Sequence, residues 1–177
     1  FVISSNDAFV LGVLSSTLHD IWVKKTAGRH GNGTSTVYLT AACFEQFPFP
    51  NCPEPKKSDI RAAAEELDTF RKNIQQNNPD LTMRVCYAIL ANLADGKTLT
   101  PKEEEIFAKA GLDTPILLHK RLDNLVFDAY GFSPATSRDD LFNQLIAYHY
   151  KLTELEQNGA IYWLRPDMAQ RQNFTDN

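Results

Sequence analysis

Four prolines within eight residues, Pro48, Pro50, Pro53 and Pro55, constrain this chain more than any other feature. Each removes an amide donor and fixes φ, so such a run excludes a helix interior and a central strand alike. The stretch Phe47-Pro48-Phe49-Pro50-Asn51-Cys52-Pro53-Glu54-Pro55 is therefore expected to be extended. Residues 51–57 read as a proline-rich linker and as the clearest boundary, with residues 1–50 on one side and residues 58–177 on the other.

The two sides differ in pattern. Before the prolines, Asn6 or Ser5 can cap a helix whose apolar positions are Phe9, Val10, Val13, Leu14, Leu18, Ile21 and Trp22. Gly28, Gly31 and Gly33 end it in a flexible loop, and the β-branched, aromatic stretch from Thr36 to Phe44 predicts a strand. After the prolines the chain reads as helices with clear punctuation. Ser58, Thr82, Thr100, Thr114 and Ser137 are the expected caps, and Gly96, Gly111, Gly131 and Gly159 the expected stops. Thr100-Pro101-Lys102-Glu103 is the strongest start, with a capping threonine, a first-turn proline and a glutamate placed to close a capping box. The expected fold class is mainly α with a small β element (α+β). A helix–loop–strand segment precedes a helical domain of about five helices.

Composition narrows the function. With 43% apolar and 23% charged residues, the 177-residue chain is an ordinary globular sequence, and it begins at Phe1 as a piece of a longer polypeptide would. Its net charge of −4 lacks the basic footprint of a free-standing nucleic-acid binder. No apolar run approaches the roughly 20 residues a bilayer requires, so no membrane partner is expected. Cys43, Cys52 and Cys86 are odd in number and form no CxxC pair, as expected of reduced thiols in a cytoplasmic protein. In that setting the triplets at Asn32 and Asn173 carry no glycosylation meaning.

No catalytic motif is present: neither a P-loop, GxGxxG, HExxH nor GxSxG occurs. His19, His30, His119 and His149 lie far apart without metal-ligand spacing, so no catalytic, cofactor-binding or metal residue is assigned. The run Glu103-Glu104-Glu105 is explained by the helix dipole at a capped first turn. Asn77-Asn78-Pro79-Asp80 only superficially matches the Asn/Asp-Pro-Pro-aromatic tetrapeptide of amino-methylating DNA enzymes, and reads as a turn between helices. The one local basic cluster is Lys24, Lys25, Arg29 and His30, beside the glycine loop that holds Asn32. These five residues are the DNA-contact candidates. The competing account is a solvated helix end, where cations complement the dipole.

Three stretches resemble one family, in order. The first runs from Leu14-Ser15-Ser16 through His19, Trp22 and Ala27-Gly28-Arg29 to Cys43-Phe44-Glu45-Gln46-Phe47-Pro48-Phe49-Pro50. The second covers Ile60 to Met83 and Leu99-Thr100-Pro101-Lys102-Glu103, and the third Phe127-Asp128-Ala129-Tyr130-Gly131 through Trp163-Leu164-Arg165-Pro166. Together they look like the C-terminal region of class I adenine-N6 DNA methyltransferases of the type IIG restriction–modification kind. The tail departs from that pattern at Asp167-Met168-Ala169-Gln170.

The resemblance implies a parent enzyme that moves a methyl group from S-adenosylmethionine to adenine N6 in double-stranded DNA, with the target base extruded from the stack. Residues 1–50 would close its target-recognition domain. Residues 58–177 would form a helical scaffold docked on the upstream methylase domains of the same chain. Catalytic and cofactor motifs would lie outside this sequence. A different class of function, a helical protein–protein module without direct DNA contact, fits the acidic balance.

Overall fold

A computed structural model describes residues 5–30 and 35–159. The elements are α1 (Ala8–Leu14), α2 (Thr17–Thr26), β1 (Gly28–His30), β2 (Ser35–Val37), a π-helical turn (Thr40–Glu45), α3 (Glu54–Asn77), α4 (Met83–Ala94), α5 (Pro101–Ala110), α6 (Asp113–Tyr130) and α7 (Arg138–Gln157). Among the described residues the fold is mainly α with one small two-stranded sheet, as expected, and five helices lie from Glu54 onward.

α3 and α6 form an antiparallel pair. Lys56 pairs with Asp128 at 2.8 Å near one end, and Glu66 with Arg121 at 2.6 Å farther along. A buried cluster lies at each end of this pair. The larger gathers Ile60, Ala63 and Leu67 of α3 and Leu122, Val126 and Phe127 of α6 with α1, α2, α7 and the rings Phe47 and Phe49. The smaller joins Ile74 of α3 to Cys86 and Ile89 of α4, Ala110 of α5 and Leu112.

α1 crosses α3 closely because Gly12 lacks a side chain: a Cβ there would stand 2.7 Å from Ile60 Cγ2. Asp7 caps α1 by accepting from the Phe9 amide at 2.9 Å. It also takes a two-pronged bond from Arg61, at 2.7 and 3.1 Å. That guanidinium holds the Asp7 carboxyl below its ordinary pKa.

Several local expectations change. The first helix is two helices, broken at Ser15-Ser16, because the Ser16 hydroxyl leaves the helix to donate to the Val13 carbonyl at 2.7 Å and cap α2. The cap of α1 is Asp7, not Asn6 or Ser5. The strand expected over Thr36–Phe44 stops at Val37, since its three-residue partner β1 offers nothing further to pair with. The segment then closes into the π-helical turn, which buries Cys43 and receives the Trp22 indole N–H on the Ala42 carbonyl at 3.0 Å. β1 itself starts where a glycine loop was expected.

The extended stretch ends earlier than residue 57. α3 starts at Glu54 with Pro55 in its first turn, where a missing amide costs no helical bond, so Ser58 lies inside the helix and is not its cap. α6 likewise starts one residue before Thr114, out of the left-handed Gly111 and the fully buried Leu112. The caps Thr82, Thr100 and Ser137 are where the sequence puts them, and the Thr100–Glu103 capping box is closed in both directions. The apolar phrase Ile161-Tyr162-Trp163-Leu164 and the Arg165-Pro166 that follows lie outside the described residues.

Candidate nucleic-acid interface

The basic candidates sit where α2 passes into the β1–β2 hairpin. Lys24 and Lys25 are exposed in the last turn of α2, where their charge complements the helix dipole. Each already has an acidic neighbour. Lys24 meets Asp20 one turn back at 2.9 Å, and Lys25 meets Asp139 of α7 at 2.8 Å while lying 6.0 Å from the Phe142 ring centroid. The Lys25 bond holds the Asp139 carboxyl below its ordinary pKa.

Arg29 is exposed on β1, opposite Thr36 in the antiparallel register. The His30 backbone pairs with Ser35, and Asn32 lies outside the described residues. The structure thus brings Lys24, Lys25 and Arg29 to one region, with the two lysines tied to α7 and to their own helix.

A residue the sequence reading did not select belongs to this group. Arg138, the first residue of α7, binds Asp20 at 2.5 Å, so Asp20 holds two cations at once. The only signal in the sequence was its place directly after the Ser137 cap, which does not reveal a partner 118 residues away.

The hairpin is anchored through His19. This buried ring stacks edge-on against Phe47 with centroids 4.6 Å apart, and its Nε2 lies 3.2 Å from the Tyr38 hydroxyl just past β2. Its Nδ1 is buried without a hydrogen-bond partner. Burial lowers the His19 pKa to about 4, with Asp20 acting weakly the other way, so the ring is neutral at physiological pH.

Beside this surface runs a groove of about 770 Å³ between α2, α4, α6 and the start of α7. Its apolar wall includes Leu90, Ala91, Ala94 and Ile116, and its polar wall includes Asp20, Asp123, His119 and Arg138. Asp123 is engaged structurally: its two oxygens accept from the Thr17 amide and hydroxyl, both at 2.7 Å, and so satisfy an open donor at the start of α2. Among the described residues no group of acids, histidines and cysteines is arranged to hold a metal ion.

The described residues offer S-adenosylmethionine no built site. Among the described residues the sheet is a two-stranded hairpin, with no glycine turn leading from a strand into a helix N-terminus. The acids of the groove are engaged with Lys24, Arg138 and Thr17.

The chain is 27% identical over 154 residues to DNA methyltransferase A of Bacillus subtilis (strain 168), a match that covers 87% of this chain and 15% of that protein. This region is homologous to part of a DNA methyltransferase. Its fold matches the type IIL restriction–modification enzyme MmeI, solved in complex with DNA, with a TM-score of 0.59 and 25% identity. That match covers 85% of this chain and 17% of the MmeI chain, so the chain spans about a sixth of either protein. No protein-family model matches it. Among the described residues no helix is long and apolar enough to cross a membrane.

Proposed function

We propose that this chain is the C-terminal recognition and scaffold region of an adenine-N6 DNA methyltransferase of the type IIG restriction–modification kind. Residues 1–50 close the target-recognition domain, and residues 58–177 brace it against upstream methylase domains in a cytoplasmic enzyme. The observation that carries this reading is the joint match, over more than four-fifths of the chain, to a DNA methyltransferase and to a restriction–modification enzyme held on DNA.

On this reading S-adenosylmethionine supplies the methyl group from a site elsewhere in the parent enzyme. The chain's own contribution is placement. α2 and the hairpin carry Lys24, Lys25 and Arg29 for the phosphates of double-stranded DNA, and His30 and Asn32 remain candidates from the sequence alone. The helical body keeps that surface fixed. Phosphate contacts of this kind set position, not sequence choice.

Changing Lys24, Lys25 and Arg29 together to Ala in the intact enzyme should weaken DNA binding and flatten its dependence on salt by about two to three counterions. Unchanged affinity and salt slope would remove the DNA role of this surface. A protein–protein role for the region has its own supporting observation: both lysines are already paired with acids of this chain. Crosslinking of the intact enzyme on DNA separates the two, since exclusive crosslinks to protein would favour the second.

A further inference from the structure

The second core is fastened to the helix pair by a short chain of polar side chains beside the groove. Arg71 of α3 donates from Nε to the Tyr87 hydroxyl of α4 at 2.7 Å, and its guanidinium lies 5.4 Å from that ring's centroid. The Tyr87 oxygen in turn lies 2.9 Å from His119 Nε2 on α6, and the two rings meet edge to face with centroids 5.6 Å apart. A guanidinium only donates, so the hydroxyl accepts from Arg71 and turns its single proton toward His119. With that proton bonded to Nε2, His119 is the neutral tautomer that carries its own proton on Nδ1.

We propose that the Tyr87–His119 contact is a proton-controlled latch. With His119 neutral it holds α4 against α6 and closes one wall of the groove; a proton on His119 releases α4 and widens the groove. A protonated ring would present an N–H to an oxygen that already receives Arg71, and would place a second positive charge beside that guanidinium. The Tyr87 proton would have to turn out into the groove.

The charges that face the ring favour the closed form at neutral pH. Arg71 from α3 opposes protonation and Asp123, on the ring's own helix, favours it. Across the groove Asp20 of α2 and Arg138 of α7 neutralise each other, and Lys120 lines the same groove. α4 contributes Tyr87, Leu90, Ala91 and Ala94 to the lining, with no carboxylate, lysine, arginine or histidine. Burial is the largest influence that keeps the His119 pKa below the ordinary value, followed by Arg71. Two features make α4 the part that moves. Its core is separate from the larger one, and the groove leaves its Tyr87 edge without apolar packing on that side.

The test is amide hydrogen exchange across Met83–Ala94 in the intact protein, followed from pH 7.5 downward through the His119 titration and corrected for intrinsic exchange, with the His119 ring observed by NMR. Exchange in α4 should rise roughly threefold to tenfold as His119 gains its proton, the range expected for loss of one neutral hydrogen bond. Y87F should exchange fast at every pH without a step, and should raise the midpoint of the His119 titration. H119Q, which keeps an acceptor but cannot take the proton, should show slow exchange and no step. A wild-type profile that stays flat while His119 titrates, or a step that survives in H119Q, would overturn the latch.

Discussion

The Tyr130 hydroxyl, at the end of α6, donates to the Pro48 carbonyl at 2.8 Å, and so ties the proline run to the helical body. Burial, reinforced by Tyr148 and Cys52, pushes this phenol well above its ordinary pKa, so it stays a donor across the working range. A second tyrosine, Tyr148 of α7, accepts from the Asn51 amide at 2.9 Å. In the same stretch Phe47 and Phe49 stand edge to face, 5.2 Å apart, inside the larger core. A stretch with few amides to donate is held by its carbonyls and its rings.

Y130F should therefore lower stability by about 1–2 kcal/mol, the usual consequence of leaving a buried carbonyl without its donor. Urea denaturation reads this as a lower midpoint at constant slope. An unchanged midpoint would show that the clasp is dispensable.

The helical punctuation was legible because caps and stops are local chemistry: Thr82, Thr100, Ser137, Gly111 and Gly131 act within one turn of themselves. What the sequence concealed depends on distant partners. The break at Ser15-Ser16 is stabilised by Asp123 more than a hundred residues away, and the strand after Thr36 is cut short by the brevity of β1. The candidate site shows the same split. Lys24 and Lys25 stand out as charges in a row, and Asp20 one turn before Lys24 is a local partner, but Asp139 becomes the counterion of Lys25 only once α7 lies beside α2.

Gly12→Val tests the crossing of α1 on α3. Any Cβ meets the Ile60 side chain 2.7 Å away and the Ile60 carbonyl at 3.3 Å, so the helices must separate. The expected loss is about 1–3 kcal/mol, typical of overpacking. Gly131→Ala, whose added carbon would touch nothing but whose φ is +70°, should cost only about 1–2 kcal/mol through the backbone. Equal and negligible effects on thermal unfolding would refute the close crossing.

Asp20→Asn frees both Lys24 and Arg138 from their shared acid. If this surface meets phosphates, the intact enzyme should bind DNA severalfold more tightly at low salt, and the gain should shrink as salt screens it. Fluorescence anisotropy at three salt concentrations reads both effects. Weaker or unaltered binding would assign Asp20 a purely internal role.

His19 predicts a specific acid sensitivity. Its folded pKa of about 4 lies below the ordinary histidine value of 6.5, so the unfolded chain takes up the proton first. Above pH 6.5 neither state is charged and the full stability is present. Between pH 6.5 and 4 stability should fall by about 2–3 kcal/mol in total, then level off with respect to this group. His19→Leu should flatten that limb of the stability–pH curve relative to the wild type; an identical slope would mean that the ring is solvated.

The clasped prolines also bear on how such proteins can exchange parts. Composition would recommend residues 51–57 as a seam for grafting one relative's leading portion onto another's helices. Such a cut would bring foreign rings into a socket shaped by Tyr130 and Tyr148. Hybrids should tolerate a junction ahead of Asp7, which carries α1, the hairpin and the aromatic strap across as one inheritance, far better than one at the prolines.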